Sequence, residues 1–340
     1  MFVNRSYSFF KVLKWTKLDI LKFTIIATIP VVLYKVTHLE WLAFPWAPTT
    51  LVGTAVAFYI GFKNNSSYDR LWESRKIWGG IVNDSRTWGI KALDFVNNDF
   101  ADAPVSDQQL KSIHRRLIYR HIAWLTALRF QLRTTRTWEH PRLTMDQIRQ
   151  KKGFDIPEFR TELHNEIAPF LENKEKENVL NRKNVATQLI KNQSQDLKEL
   201  RKKGLLDDFR HMSLVDTLEK FYTGQGKSER IKNYPFPRQY ATLNGFFIWL
   251  FVVLLPFSMI KEFKELGTNM EWLTIPFCVM VSWVFHTMEK VGDYSENPFE
   301  GGVNDTPISA LSRTIEIDLR DMLNETELPK VMSAVNQVLS

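Results

Sequence analysis

The chain has 340 residues, 45 of them basic and 38 acidic for a formal net charge of +7, and one cysteine, Cys278. Charges this evenly interleaved form no nucleic-acid tract, and a single thiol excludes an intrachain disulfide and any multi-cysteine metal site. The slightly negative mean hydropathy averages long uncharged runs near both ends with a middle dense in Lys, Arg, Glu and Asp.

The first stretch, MFVNRSYSFFKVLKWTKLDILKF, sets Arg5, Lys11, Lys14, Lys17 and Lys22 ahead of an apolar run over residues 23–34. A secretory signal opens similarly, but the sequel KVTHLEWLAFPWAP is bulky and aromatic, with no small-x-small cleavage site. It reads instead as an interfacial cuff that places Trp41 and Trp46 at headgroup depth. The apolar run covers only about 18 Å as a helix, against about 30 Å of hydrocarbon. The first membrane span is therefore expected to extend over residues 18–36, with Lys22 and Lys35 snorkelling outward.

Pro48 can open a helix without losing a hydrogen bond, and TTLVGTAVAFYIGF predicts a second span over residues 47–63. On it Thr54, Phe58 and Phe62 fall at i, i+4 and i+8, one stripe of one face. Gly53, Ala57 and Gly61 make a second stripe, of the small residues that let another helix approach closely in a bilayer. Phe at this spacing is usually core or lipid-facing; a helix that lines a pore is the sharper alternative.

Residues 64–238 are dominated by the helical period and are expected to form a large helical region outside the membrane. In residues 110–130, Ile113, Leu117, His121 or Trp124, and Leu128 share one face expected to be buried, with arginines opposite on a face expected to be solvated. In residues 174–203, Leu180, Leu189, Leu197 and Leu200 can face a partner helix. GQGKS, residues 224–228, ends like a phosphate loop but lacks the leading glycine and the preceding strand. His114 and His121, seven residues apart, share a face; such a pair is more often structural than metal-binding.

The third span, residues 240–260, is the clearest hydropathy signal, and Pro256 within it is tolerable. A fourth over residues 271–288 contains His286. Lys and Arg crowd the amino-terminal flank and the segment after Phe62, whereas residues 35–46 hold one Lys against Glu40. By the positive-inside rule both ends and the large middle region face the cytoplasm. In the carboxy-terminal segment, residues 289–340, Thr306 as N-cap and Pro307 at the first position predict a helix carrying Leu311, Ile315, Leu319, Met322 and Leu323 on one face. NPFEGGVND before it must be an ordered loop. No HExxH, GxSxG or dinucleotide GxGxxG occurs, so nothing points to an enzyme.

Two blocks carry a family resemblance. FKNNSSYDRLWESRKIWGGIVNDSR resembles the FRNNxAYDRWWEARKxWG signature of bacterial bestrophin-like proteins through Asn64, Asn65, Tyr68, Asp69, Arg70, Trp72 and Glu73. ENPFEGGVNDTPISALSRTIEIDLRDML resembles their carboxy-terminal block through Asn297, Pro298, Phe299, Asn304 and Asp305. The resemblance implies an all-α membrane protein with four transmembrane helices and a large cytoplasmic helical region. It implies assembly as a homopentameric ring in the cell inner membrane, with the bilayer and permeant monovalent ions as partners, no nucleic acid and no cofactor. Aligned on the signature, the family's neck positions fall on Thr54, Phe58 and Phe62, and the stripe of Gly53, Ala57 and Gly61 is left for helix packing. A second, cytoplasmic aperture is expected near Leu205, Leu206 and Phe209.

Departures narrow these expectations. Thr54 stands where an aliphatic residue is common, and Leu71 replaces a usual Trp. Animal bestrophins clasp Ca²⁺ after the NPF element, but EGGVND offers only Glu300 and Asp305 to an ion that takes roughly six to eight oxygens. Calcium activation and a bound metal are therefore not expected. The favoured function is a chloride or anion channel with an apolar neck. A cation-conducting channel and a membrane-anchored scaffold or sensor are the alternatives; a transporter would show inverted repeats, which are not seen.

Overall fold

The computed structural model describes the backbone of residues 1–340 and every side chain except those of residues 142, 143, 151 and 152. Its helices follow in order: α1 (Phe9–Thr37), α2 (Trp46–Phe95), α3 (Asp107–Arg133), α4 (Arg142–Lys152), α5 (Leu163–Ile167), α6 (Asn173–Leu180), α7 (Val185–Lys202), α8 (Asp208–Asn233), α9 (Arg238–Lys264), α10 (Thr274–Asp293) and α11 (Ile308–Met322). Isolated bridges such as Phe2–Val338 are the extended pairing recorded among the described residues, so the chain is all-helical. It divides into an apolar unit, residues 4–70 and 235–297, and a polar unit, residues 1–3, 71–234 and 298–340.

In the apolar unit α1 packs on α9 and α10. At 29 residues α1 outruns its uncharged stretch at both ends, as the bilayer thickness requires. Phe23 and Ala27 of α1 meet Val56 and Ile60 of α2, Ile248, Phe251, Val252 and Leu255 of α9, and Cys278 of α10 in one cluster. Outward from it α1 leaves Leu18, Leu21, Ile25, Ile29, Leu33 and Val36 exposed, an uncovered apolar strip at helical spacing. Among the described residues three stretches, within residues 9–37, 40–95 and 238–264, are long and apolar enough to cross a membrane. α10 occupies the place expected of a fourth span. Its 20 residues fall short of that standard because His286, Glu289 and Lys290 dilute its second half.

The polar unit is built around α3, which packs on α7, α8 and α11. Ser106 and Gln109 close a capping box at its start. Leu117, His121, Trp124 and Leu128 are buried as expected, against Trp88 of α2 and Phe221 of α8. The opposite face is not solvated, however. Arg120, Arg129 and Arg133 are buried too, each held by carboxylates: Arg120 by Glu175 and Asp196, Arg129 by Glu158, Arg133 by Asp305. Burial of a guanidinium is tolerable only with such partners, and those lie far off in sequence. The carboxy-terminal helix also begins one residue later than expected. Pro307 is its N-cap residue, and the Thr306 hydroxyl is 2.5 Å from that of Ser74, making no cap.

Candidate functional site

The second span presents two contrasting faces within the apolar unit. On the packed face Gly53 lies so close to α9 that an added Cβ would sit 2.8 Å from the Phe251 ring, while Val56 and Ile60 are buried and Thr49 bonds the Ser258 hydroxyl. On the other face Thr54, Phe58 and Phe62 stand out, both phenylalanines 72% exposed. The Thr54 hydroxyl donates to the Thr50 carbonyl at 2.9 Å, so its hydrogen is committed to the backbone. Of the small-residue stripe only Gly53 meets a neighbour. Ala57 is exposed, and nothing lies within 4 Å of a Cβ built on Gly61.

Beyond Phe62 the two faces differ in charge. Lys63 is buried, its ammonium 2.9 Å from Glu289 and 3.5 Å from Asp293 of α10. Arg70 Nε donates to the Glu296 carbonyl at 2.8 Å, and the Glu296 carboxylate accepts from Arg238 at 2.7 Å. Burial nevertheless pushes the Glu296 carboxyl above its usual range. Asn64 donates to the Met288 carbonyl at 3.1 Å and fills the space where a Cβ on Gly292 would lie, which explains that glycine. The signature residues thus separate into Asn64 and Arg70, turned inward, and Asn65, Tyr68 and Asp69, exposed. This anchoring cluster of Lys63, Arg238, Glu289, Asp293 and Glu296 was not foreseen. Acids at i, i+4 and i+7, the last just past the end of α10, were its sequence trace.

In the polar unit Trp72 is exposed and Glu73 pairs with Lys76 at 2.7 Å. The loop that follows the NPF element is held by Asp305. Its Oδ1 accepts from the amides of Phe299 at 2.8 Å and Thr306 at 2.6 Å, and its Oδ2 from Gly301 at 2.7 Å and Arg133 at 2.9 Å. Phe299 is buried with a φ of 77°, a left-handed conformation rare for an aromatic residue and fixed here by those bonds. Pro298 is buried with it and Asn304 is exposed. Glu300 accepts from the amide and Nδ1 of His140, at 2.8 Å and 2.9 Å. The carboxylates of Asp305 and Glu300 therefore face N–H donors, a setting that disfavours Ca²⁺.

Other expected positions are sorted by burial. Leu205 and Leu206 are 1% and 2% exposed, packed in the polar unit's core, which corrects their assignment to an aperture. Phe209, by contrast, is 90% exposed at the start of α8. His114 Nε2 meets the Val96 carbonyl at 2.7 Å and His121 Nε2 the Ser85 hydroxyl at 2.9 Å, so the two rings serve separate structural contacts. Residues 224–228 lie inside α8, where no phosphate loop can form.

Comparison with known proteins agrees with the resemblance in the two signature blocks. A profile of the family described as Bacterial/Fungal Bestrophin protein matches residues 11–321. The chain is 27% identical over 293 residues to the voltage-dependent anion channel-forming protein YneE of Escherichia coli strain K12, covering 86% of this chain and 81% of that one. It is 27% identical over 295 residues to the voltage-dependent anion channel-forming protein RSc3414 of Ralstonia nicotianae, covering 86% and 83%. Among solved structures, a bacterial bestrophin homologue from Klebsiella pneumoniae superposes with a TM-score of 0.74 at 22% identity over 91% of this chain and 99% of that one.

Proposed function

The chain belongs to the bacterial and fungal bestrophin family, and from that premise we propose that it is an ion channel passing small monovalent ions passively, anions favoured, through a neck lined by Thr54, Phe58 and Phe62 of α2. The observation that carries the reading is a pair of phenylalanines one turn apart, both 72% exposed, on a helix whose other face is packed and pinned by ion pairs. Several copies arranged around an axis, five by resemblance, would bring these rings together. α10 would supply the fourth span, with both ends of the chain inside and the assembly in the inner membrane.

An apolar ring in a narrow pore opposes ions by dewetting, so a small change in width opens or closes it. Phenyl rings turned edge-on offer their electropositive rim to a passing anion without a fixed charge. The names of the relatives from Escherichia coli and Ralstonia nicotianae support anion passage. No chemical step is required, only a path. A cation-conducting reading is kept alive by one observation, the exposed carboxylate of Asp69 on the same helix.

The test is a planar-bilayer recording of the purified chain. Phe58→Ala with Phe62→Ala is expected to raise single-channel conductance, since two dewetting rings are removed. A reversal potential that stays on the chloride side of zero in asymmetric KCl supports anion passage. Unchanged conductance in the double variant would take the two residues out of the path.

A further inference from the structure

Between Phe58 and Arg70 helix α2 carries three residues charged at neutral pH, Lys63, Asp69 and Arg70. The two cations are turned into the protein, Lys63 into the carboxylates of Glu289 and Asp293 and Arg70 onto the Glu296 carbonyl. Asp69 is exposed, and none of the described residues pairs with it. At about 100° per residue, eleven residues past Phe58 returns to within about 20° of the same direction, so Asp69 continues the stripe of Thr54, Phe58 and Phe62. Helix geometry and inward pairing together leave that stripe, from Thr54 to Arg70, with a single net negative charge per copy. Further along, Glu73 and Lys76 pair with each other at 2.7 Å and cancel, and Arg75 between them is half-buried.

We infer that Asp69 tunes the sign selectivity of the neck: its carboxylate, repeated in each copy, draws cations to the inner end of the phenylalanine rings and lowers the anion-to-cation permeability ratio. The inference rests on the reading of α2 as the pore-lining helix. Asp69 lies seven residues past Phe62, about 10 Å along the axis. That is about one Debye length at 0.1 M salt, so its field reaches the rings. A full charge acts over a longer range than a ring quadrupole, and acidic rings are the usual device for admitting cations. The phenylalanine rings thus favour anions, and Asp69 offsets part of that preference.

The full-length chain, recorded in planar bilayers under asymmetric KCl, decides it. Asp69→Asn is expected to raise the chloride-to-potassium permeability ratio by about tenfold, the low end of what focused charge does to local ion concentration. Asp69→Glu should leave the ratio near that of the unaltered chain. Should Asp69→Asn fail to assemble, Asp69→Cys modified after assembly gives the same answer. A cationic methanethiosulfonate reagent should raise the ratio and an anionic one restore it, while Cys278, 1% exposed, is sheltered from both. Equal ratios for Asp, Asn and the two adducts overturn the inference and leave the channel intact. Absence of current from the unaltered chain removes the channel reading, and the inference falls with it.

Discussion

Asp305 makes the carboxy-terminal signature a lock. One carboxylate takes three backbone amides and the Arg133 guanidinium, and by doing so holds Phe299 in a left-handed conformation deep in the polar unit. Asp305→Ala would strand four donors in a buried place, so the expected cost is roughly 3–5 kcal/mol, comparable to breaking a buried ion pair. Thermal unfolding in detergent should show it as a large fall in Tm. Asp305→Asn keeps one acceptor oxygen and should fall between the two. A chelator should move neither midpoint, since the oxygens are occupied by N–H donors. Asp69 is the contrasting residue, an acid of the same signature class left exposed with no partner among the described residues. The first acid is engaged in folding and the second is available to an ion.

At the scale of elements, α3 shows what a buried, charged helix needs. Its arginines are neutralised by acids from other segments, while His121 is buried among Trp88, Trp124 and Phe221 with its Nε2 on Ser85. Burial lowers the His121 pKa from its ordinary value of 6.5 to about 3. The unfolded chain therefore takes up a proton below about pH 6.5 that the folded chain refuses until about pH 3. Stability conferred by the neutral ring is fully present above pH 6.5 and is lost as the pH falls through that window, by at most about 1.4 kcal/mol per pH unit. His121→Phe should flatten the dependence of Tm on pH between 7.5 and 5; an unaltered slope would assign the acid sensitivity to other groups. α2 has the opposite design. Its inward face is pinned by Gly53 against Phe251 and by Lys63 among carboxylates, which fixes the rotation of the helix and so the direction in which Phe58 and Phe62 point.

For the whole molecule the uncovered surface is the guide. Only 22% of the most apolar window in the 40–95 stretch is buried within one chain, and 28% of that in α1. Apolar surface on this scale is not left to water; lipid covers it, together with the further copies proposed above. The purified protein in detergent is expected to have a protein mass that is a multiple of 39.9 kDa, five by the family resemblance, as read by light scattering after correction for bound detergent. A single-chain mass would remove the neck, because one helix cannot enclose a path.

Periodicity and the two signature blocks determined a good deal. The apolar runs fixed which segments become long helices, because a bilayer leaves the backbone no other means of pairing its polar groups. The i, i+4 spacing fixed that Thr54, Phe58 and Phe62 share a face, a property of helix geometry alone. Sequence could not decide whether that face is covered. Covering depends on where α9 and α10 lie, and only their packing against Gly53, Ile60 and Lys63 leaves the phenylalanines exposed. The same limit misplaced Leu205 and Leu206, buried by a core assembled from distant segments, and put the α3 arginines in solvent when their acids lie up to 172 residues away. Local spacing sets which side chains travel together; long-range contacts set which of them meet water, lipid or an ion.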